Sequence, residues 1–282
     1  MGREVMDGAV GREVVDGAVD GAVMDGTVGR EVLDGAVERE VVDGTVGREV
    51  EFRDLGVVSY GECWRLQQEL FEALIDSKRS GEPLTVGHIL MVEHPAVYTL
   101  GKSGKSDNVL FSEQQLEAIG AEYFHIDRGG DVTFHGPGQI VLYPILDLER
   151  VGIGLKQYIW ALEQAVIETV AHWGVEAQRC QGAAGVWIID GCRPSQSNNG
   201  GAKRNKICAI GVKSSRYVTM HGLAMNVETD LKYFNYINPC GFTDRGVTSL
   251  ECEVGCHVSI EEVKELLLNN LIKILNVKIY KK

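Results

Sequence analysis

Hydrophobic and polar positions alternate in two different rhythms along the chain. From Phe52 onward they read as strands and helices. Phe52–Ser59 has strand character, and Tyr60–Ser80 carries Trp64, Leu66, Leu70, Phe71, Leu74 and Ile75 at helical spacing, with Gly81 and Pro83 as the stop. Leu84–Glu93 and Val97–Leu100 are β-rich, Ser112 opens a short helix that ends at Gly120, and Ala121–Asp127 is again extended. Val132–Phe134 and Gln139–Leu148 follow as strands joined through Gly136-Pro137-Gly138, the pattern of a hairpin. Leu155–Trp173 is a long amphipathic helix that Gly174 stops. Short strands are predicted at Val175–Arg179 and Gly185–Asp190, and longer ones at Lys206–Ser214 and Tyr217–Val227. Ser259 with Glu262 three residues on forms a capping box for a last helix to Leu275, and Val277–Tyr280 offers a final strand. Consecutive strands with few, long helices predict an α+β fold, a mixed β-sheet with flanking helices.

Before Phe52 the rhythm is different. Residues 2–46 are five copies of a nine-residue unit (GREVMDGAV, GREVVDGAV, DGAVMDGTV, GREVLDGAV, EREVVDGTV), and a sixth begins as GREV. Each unit has few apolar side chains and no aromatic one, too little burial to offset the entropy of ordering, so a disordered tail is expected over 1–50 and a catalytic-size domain over 51–282. The first 52 residues hold 13 acidic and five basic side chains. They supply −8 of the net charge of −12 and leave residues 53–282 nearly balanced. Neither half has the basic footprint of a nucleic-acid binder. No segment is apolar and long enough to span a membrane, and the tail resembles neither a secretory signal nor an Arg-rich transit peptide, so a soluble cytoplasmic protein is expected.

Seven scattered cysteines, an odd number in a long chain, predict reduced thiols rather than a disulfide framework. Cys252, Cys256 and His257 lie close together without the usual zinc spacing, so buried thiols are expected there and no metal. The cationic loop Gly101–Asn108 contains Gly-Lys-Ser twice but lacks the spacing of a phosphate-binding loop. Residues 191–205 form a polar Gly/Ser/Asn loop that is long for its place and expected to be mobile.

The densest candidate chemistry lies in RGGDVTFHGPGQIVLYPILDL, Arg128 to Leu148. Its four glycines permit close backbone approach to a ligand, Arg128 is suited to holding an anion, and Thr133 and His135 are polar groups for a pocket wall; glycines that serve only turns would give the same letters. His135 and His221 both precede glycine, and each is explained equally well as a pocket group or as a satisfied core histidine. Lys213 and Arg216 read as solvated strand-surface charges.

Taken together, that block, KICAIGVKSSRYVTMHGLAMNV and INPCGFTDRGVTSL resemble the three signature blocks of the lipoyl(octanoyl) transferases, in the family's order. The resemblance implies the biotin/lipoate protein ligase fold. It also implies transfer of an octanoyl group from octanoyl-acyl carrier protein to a lysine of lipoyl domains, those of oxo-acid dehydrogenases or the glycine cleavage carrier, without a cofactor. It makes Cys240 the acyl-thioester nucleophile and Lys206 the partner that lowers its pKa. Arg128, Gly129, Gly130, Asp131, Val132, Thr133, Phe134 and His135 would bind substrate, as would Ala209, Ile210, Gly211, Gly222, Leu223 and Ala224. Phe134 stands where tyrosine is more usual, Cys208 where alanine is, and Met225 for leucine. The repeats match nothing in the family.

The same chemistry follows from residue types. A thiolate attacking a thioester gives another thioester of similar energy, and a nearby ammonium favours the thiolate. An ATP-dependent lipoate–protein ligase would share the fold but needs no cysteine. A non-enzymatic carrier-binding module would need neither Cys240 nor Lys206. Cys208, two residues from Lys206, is a second thiol that could compete for the acyl group.

Overall fold

The computed structural model describes residues 48–81, 85–189, 204–238 and 246–281. The expectations for the nine-residue repeats, for most of the 191–205 loop and for Cys240 lie outside the described residues.

Among the described residues the elements run β1 (Glu49–Val57), α1 (Tyr60–Ser80), β2 (Gly87–Glu93), β3 (Val97–Leu100), α2 (Glu113–Ala118), β4 (Glu122–His125), β5 (Val132–His135) and β6 (Gln139–Leu146). They continue with α3 (Leu148–Val151), α4 (Leu155–Ala171), β7 (Gln178–Cys180), β8 (Ala183–Ile189), β9 (Arg204–Ser215) and β10 (Val218–Asn226). β11 (Gly246–Val247), α5 (Leu250–Val254), α6 (Ile260–Leu275) and β12 (Lys278–Lys281) complete the chain. The helix boundaries follow local chemistry: Ser59 accepts a hydrogen bond from the Glu62 N–H at the start of α1, and Gly81 at φ 75° ends it. Ser112 and Gln115 form a full capping box on α2.

A mixed sheet takes the order β12-β1-β2-β6-β10-β9-β8-β7, with β11 beside β9. Side chains alternate across it as the pleat requires. Ile140, Leu142 and Leu146 of β6 join the core under α4 and α6, whereas Val141, Tyr143 and Ile145 join the core under α1. A smaller sheet, β4-β3-β5, has its own core around Tyr98, Phe134 and Phe234. The expected α+β architecture is therefore present.

The expected hairpin is not. β5 pairs with β3 in the small sheet, and β6 pairs with β2 and β10 in the large one. Gly136-Pro137-Gly138 carries the chain from one sheet to the other. Gly138, at φ 77°, has its carbonyl occupied by Val227 N, Glu228 N and Thr229 Oγ1, and a Cβ there would strike Glu228. β9–β10, by contrast, is a hairpin. Its turn residues Arg216 and Tyr217 both take positive φ, and Lys78 of α1 donates to the Arg216 carbonyl at 2.9 Å.

The first strand begins earlier than its hydrophobic pattern predicts. Glu49 and Val50, the end of the sixth GREV, are already in β1, paired with β12 on one side, and Val50 also with β2 on the other; Val50 is fully buried. The boundary drawn after residue 50 cuts this strand, because a tetrapeptide of the repeat doubles as strand sequence. The cysteines also differ from expectation. Cys63, Cys180, Cys208 and Cys256 are free, but Cys252 is disulfide-bonded and Cys256 is exposed rather than buried.

A chain beginning at Gly47 and one beginning at Glu51 should therefore differ. Losing Val50 removes about 2 kcal/mol of apolar burial, which should lower the melting temperature of the shorter chain by roughly 5 °C. Equal melting curves by calorimetry would show that β1 is not anchored there.

Candidate functional site

Between the small sheet and the face of β6, β9 and β10 lies a cavity of about 400 Å³. Glycines meet in its wall where neighbouring backbone presses on the strands. Gly222 is the register partner of Gly211, and a Cβ on Gly222 would land on the Leu142 carbonyl oxygen. The Arg128-Gly129-Gly130 loop seats directly on β9: Gly129 N donates to the Val212 carbonyl at 3.2 Å, and a Cβ on Gly211 would meet Gly129 O at 2.7 Å. The glycines of two separate sequence blocks therefore exist for one contact.

The structure brings most of the sequence-predicted residues to this cavity. Arg128, Gly130, Asp131, Val132, Thr133 and His135 line one side, and Ala209, Ile210, Gly211, Gly222, Leu223 and Ala224 line the other, with Lys206 at the end of the β9 stretch. Gly129 and Phe134 are not in the lining. Phe134 faces away, stacked on Tyr233 with ring centroids 4.6 Å apart. Arg128 does line the cavity, but it is not poised for an anion. Its guanidinium donates to the carbonyls of Thr99, Gly129 and Asp131, and so ties the loop together.

Lys206 is buried, with its ammonium 4.6 Å from the centre of the Trp187 ring. Gly185, at φ 119°, leaves the room for this side chain: a Cβ there would meet Cys208 O at 2.5 Å and Lys206 Cε at 3.5 Å. On its other side Lys206 is the register partner of Val247, and its carbonyl accepts from Thr248 N at 3.0 Å. The neighbouring thiol Cys208 is fully buried outside the cavity lining, and burial pushes its pKa upward, so it stays protonated.

The resemblance gives several lining groups no role, although Gln139 and Asn226 lie inside its blocks. Gln139 receives a hydrogen bond from His135 Nδ1 at 2.8 Å and donates to Asn226 Oδ1 at 2.8 Å; Asn226 in turn donates to Thr248 O. Polar residues inside otherwise apolar strands were the available hint. Tyr60 stacks on His135 at 5.9 Å. His94, behind them, donates from Nδ1 to Val58 O at 2.8 Å and accepts at Nε2 from Tyr143. Burial lowers the pKa of His94 to about 4 and of His135 to about 3, so both are neutral imidazoles. His221 is held at Nε2 by Asp127 Oδ1 at 3.0 Å, and Lys213 reaches the other Asp127 oxygen at 2.6 Å. Lys213 is thus an ion-pair partner rather than a solvated charge. Away from the cavity, His257 sits with Glu228 and Glu251, their ligand atoms within 4.8 Å, rather than with the cysteines; the imidazole is exposed and hydrogen-bonded to Glu251.

Residues 59–272 match the lipoyl protein ligase A/B catalytic domain. The octanoyltransferase of Bacteroides fragilis is 52% identical over 219 residues, covering 78% of this chain and 95% of the relative. That of Flavobacterium johnsoniae is 46% identical over 228 residues, covering 79% and 94%. Among solved structures, a bipartite lipoate protein ligase of Thermoplasma acidophilum superimposes with a TM-score of 0.58 at 16% identity, over 84% of this chain and 86% of that one. Lipoate-protein ligase A bound with ATP gives 0.57 at 14%, over 83% and 87%. At such identities these structures establish the fold alone, and it is the lipoate-ligase fold expected.

The neutral buried histidines have a consequence for stability. As pH falls below about 6.5 the unfolded chain binds protons that His94, with a folded pKa of about 4, refuses. Stability is therefore full above pH 6.5 and lost progressively down to pH 4. Melting temperature should fall by several degrees across that window, and His94→Gln should flatten the slope while lowering the plateau. A slope unchanged in the variant would remove His94 as its source.

Proposed function

Since this chain belongs to the octanoyltransferases of the lipoyl protein ligase A/B family and is an acyltransferase, we propose that it moves an octanoyl group from octanoyl-acyl carrier protein to a lysine of lipoyl domains through a thioester on Cys240. The observation that carries this reading is the seat of Lys206. It is a buried ammonium at the cavity wall, and its register partner Val247 lies seven residues after Cys240 in the chain.

In the first half, the Cys240 thiolate, favoured by the Lys206 ammonium, attacks the carrier thioester. The new carbon–sulfur bond forms, the carrier's breaks, and Lys206 gives its proton to the departing carrier thiolate. In the second half, neutral Lys206 takes a proton from the incoming lysine ammonium. The freed amine attacks the Cys240 thioester, the amide forms with loss of one further proton to solvent, and Cys240 leaves as thiolate beside a recharged Lys206. Because the donor thioester already carries the activation, the reaction needs no ATP. Cys208 takes no part, because its thiol is buried and held protonated.

Peptide mapping after exposure to octanoyl-acyl carrier protein should find the acyl group on Cys240, and Cys240→Ser should abolish turnover. Lys206→Arg should keep much of the thiol's acidity, read as iodoacetamide rate against pH. Its transfer rate should drop by at least about 100-fold, because a guanidinium cannot accept the lysine's proton. Octanoyl on another cysteine, or full transfer by Lys206→Arg, would overturn these roles. Faster acylation from free octanoate and ATP would point to a ligase instead.

A further inference from the structure

Acyl transfer through a thioester makes the carbonyl carbon tetrahedral in each half. As the nucleophile adds, the carbonyl oxygen becomes an oxyanion, which needs hydrogen-bond donors set in place beforehand. Lys206 is occupied otherwise, with sulfur in the first half and with the incoming lysine in the second. Asn226, the last residue of β10, lines the cavity together with Lys206 and is 4% exposed. One residue bridges the two. Thr248 N donates to the Lys206 carbonyl at 3.0 Å, and Asn226 Nδ2 donates to the Thr248 carbonyl at 2.9 Å. Lys206 faces the cavity because β9 bulges. Its pairing with β8 steps from Cys208 opposite Val186 to Lys206 opposite Trp187, and Ile207, passed over, turns into the core. The bulge and the bridge put the lysine and the asparagine on one stretch of wall.

The neighbours of the Asn226 amide fix which way it points. Thr248 O is a carbonyl and only accepts, so the amide nitrogen must face it; a flipped amide would set two oxygens together. On its other side Gln139, the register partner on β6, donates from Nε2 to Asn226 Oδ1 at 2.8 Å. Gln139 is locked in the same way. Its nitrogen also donates to the Phe134 carbonyl at 3.2 Å, and its oxygen accepts from His135. The two amides differ in one respect. Gln139 Nε2 has both hydrogens in use, whereas Asn226 Nδ2 uses one and makes no second hydrogen bond among the described residues. The cavity wall thus holds a buried, oriented and uncharged N–H donor with capacity to spare, which suits an oxygen of whatever enters.

We propose that Asn226 is a catalytic residue whose second Nδ2–H donates to the acyl carbonyl oxygen as it becomes an oxyanion. This rests on the octanoyl-transfer reading above, with the reacting carbon beside Lys206. In each half the nucleophile's lone pair forms the new bond to carbon, and the carbonyl π pair moves onto oxygen, where Asn226 holds it. The return of that pair breaks the bond to the leaving sulfur. A neutral donor suits this place, because it stabilises the oxyanion without exchanging protons with Lys206.

The test compares full-length wild type, Asn226→Leu and Asn226→Ser in transfer from octanoyl-acyl carrier protein to a lipoyl domain, and in inhibition by octanal and by 1-octanol. The Cys240 thiol adds to octanal as it does to a thioester, and the hemithioacetal oxygen takes the oxyanion's place. 1-Octanol fills the cavity without an electrophilic carbon. Both variants should lose roughly 100-fold in kcat with KM little changed, the cost of one oxyanion donor. Octanal should bind more weakly by a similar factor and 1-octanol as before, and the profile of iodoacetamide rate against pH should stay in place. Leucine has the branched shape of asparagine and no donor. Serine keeps a polar group in the wall, but its single hydroxyl hydrogen cannot serve Thr248 and an oxyanion together; it decides the matter if the leucine variant fails to fold. An alkylation profile displaced to higher pH, or equal losses for octanal and 1-octanol, would make Asn226 a brace for the Lys206 strand and overturn the assignment. An unchanged kcat would overturn it too. A wild type that transfers no acyl group from any carrier thioester would instead overturn the octanoyl-transfer reading itself.

Discussion

The architecture depends on one crossing. At Gly136–Gly138 the chain leaves the small sheet and enters the centre of the large one, and three donors converge on the Gly138 carbonyl to hold the switch. Two sheets joined by a crossing cannot close on each other as a hairpin would. The gap between them is the cavity. Residues on either side of the crossing, His135 and Gln139, are hydrogen-bonded across it and face the same space. The polar wall is therefore a by-product of how the backbone changes sheets.

Much of this was legible in the chain. α1 was legible from the spacing of its apolar face, its serine cap and its glycine stop, and α6 from a serine that caps Glu262 N. The partition of β5 and β6 between two sheets was not, because pairing partners are set by distant strands, and Gly-Pro-Gly reads the same in a hairpin and in a crossover. Nor did the pattern reveal that Glu49 and Val50 belong to the sheet, since they spell the repeat as well as a strand.

The candidate site was legible as glycines and letters, not as roles. Gly129 and Gly211 are both legible as candidate pocket glycines, but their reason, mutual close approach of backbone, emerges only from the fold, where Arg128 donates to carbonyls that hold its loop against β9. Phe134 sits in the right block and points out of the cavity, since strand alternation sends neighbours to opposite faces. Neither Asp127 nor Lys213 is unusual alone in the sequence; 86 residues apart, they are joined by the fold around the His221 imidazole.

The β1 strand also bears on how the acidic repeats can change over time. Its opening residues close a GREV that recurs at positions 2–5, 11–14 and 29–32. Copying errors that add or drop whole nine-residue units leave the same tetrapeptide at the threshold of the sheet, with the same side chain turned inward. Repeat number can thus drift without altering strand register, whereas a slip of a single residue would exchange buried Val50 for the glutamate beside it. The sheet acts as a filter on the frame of the tail while being indifferent to its length.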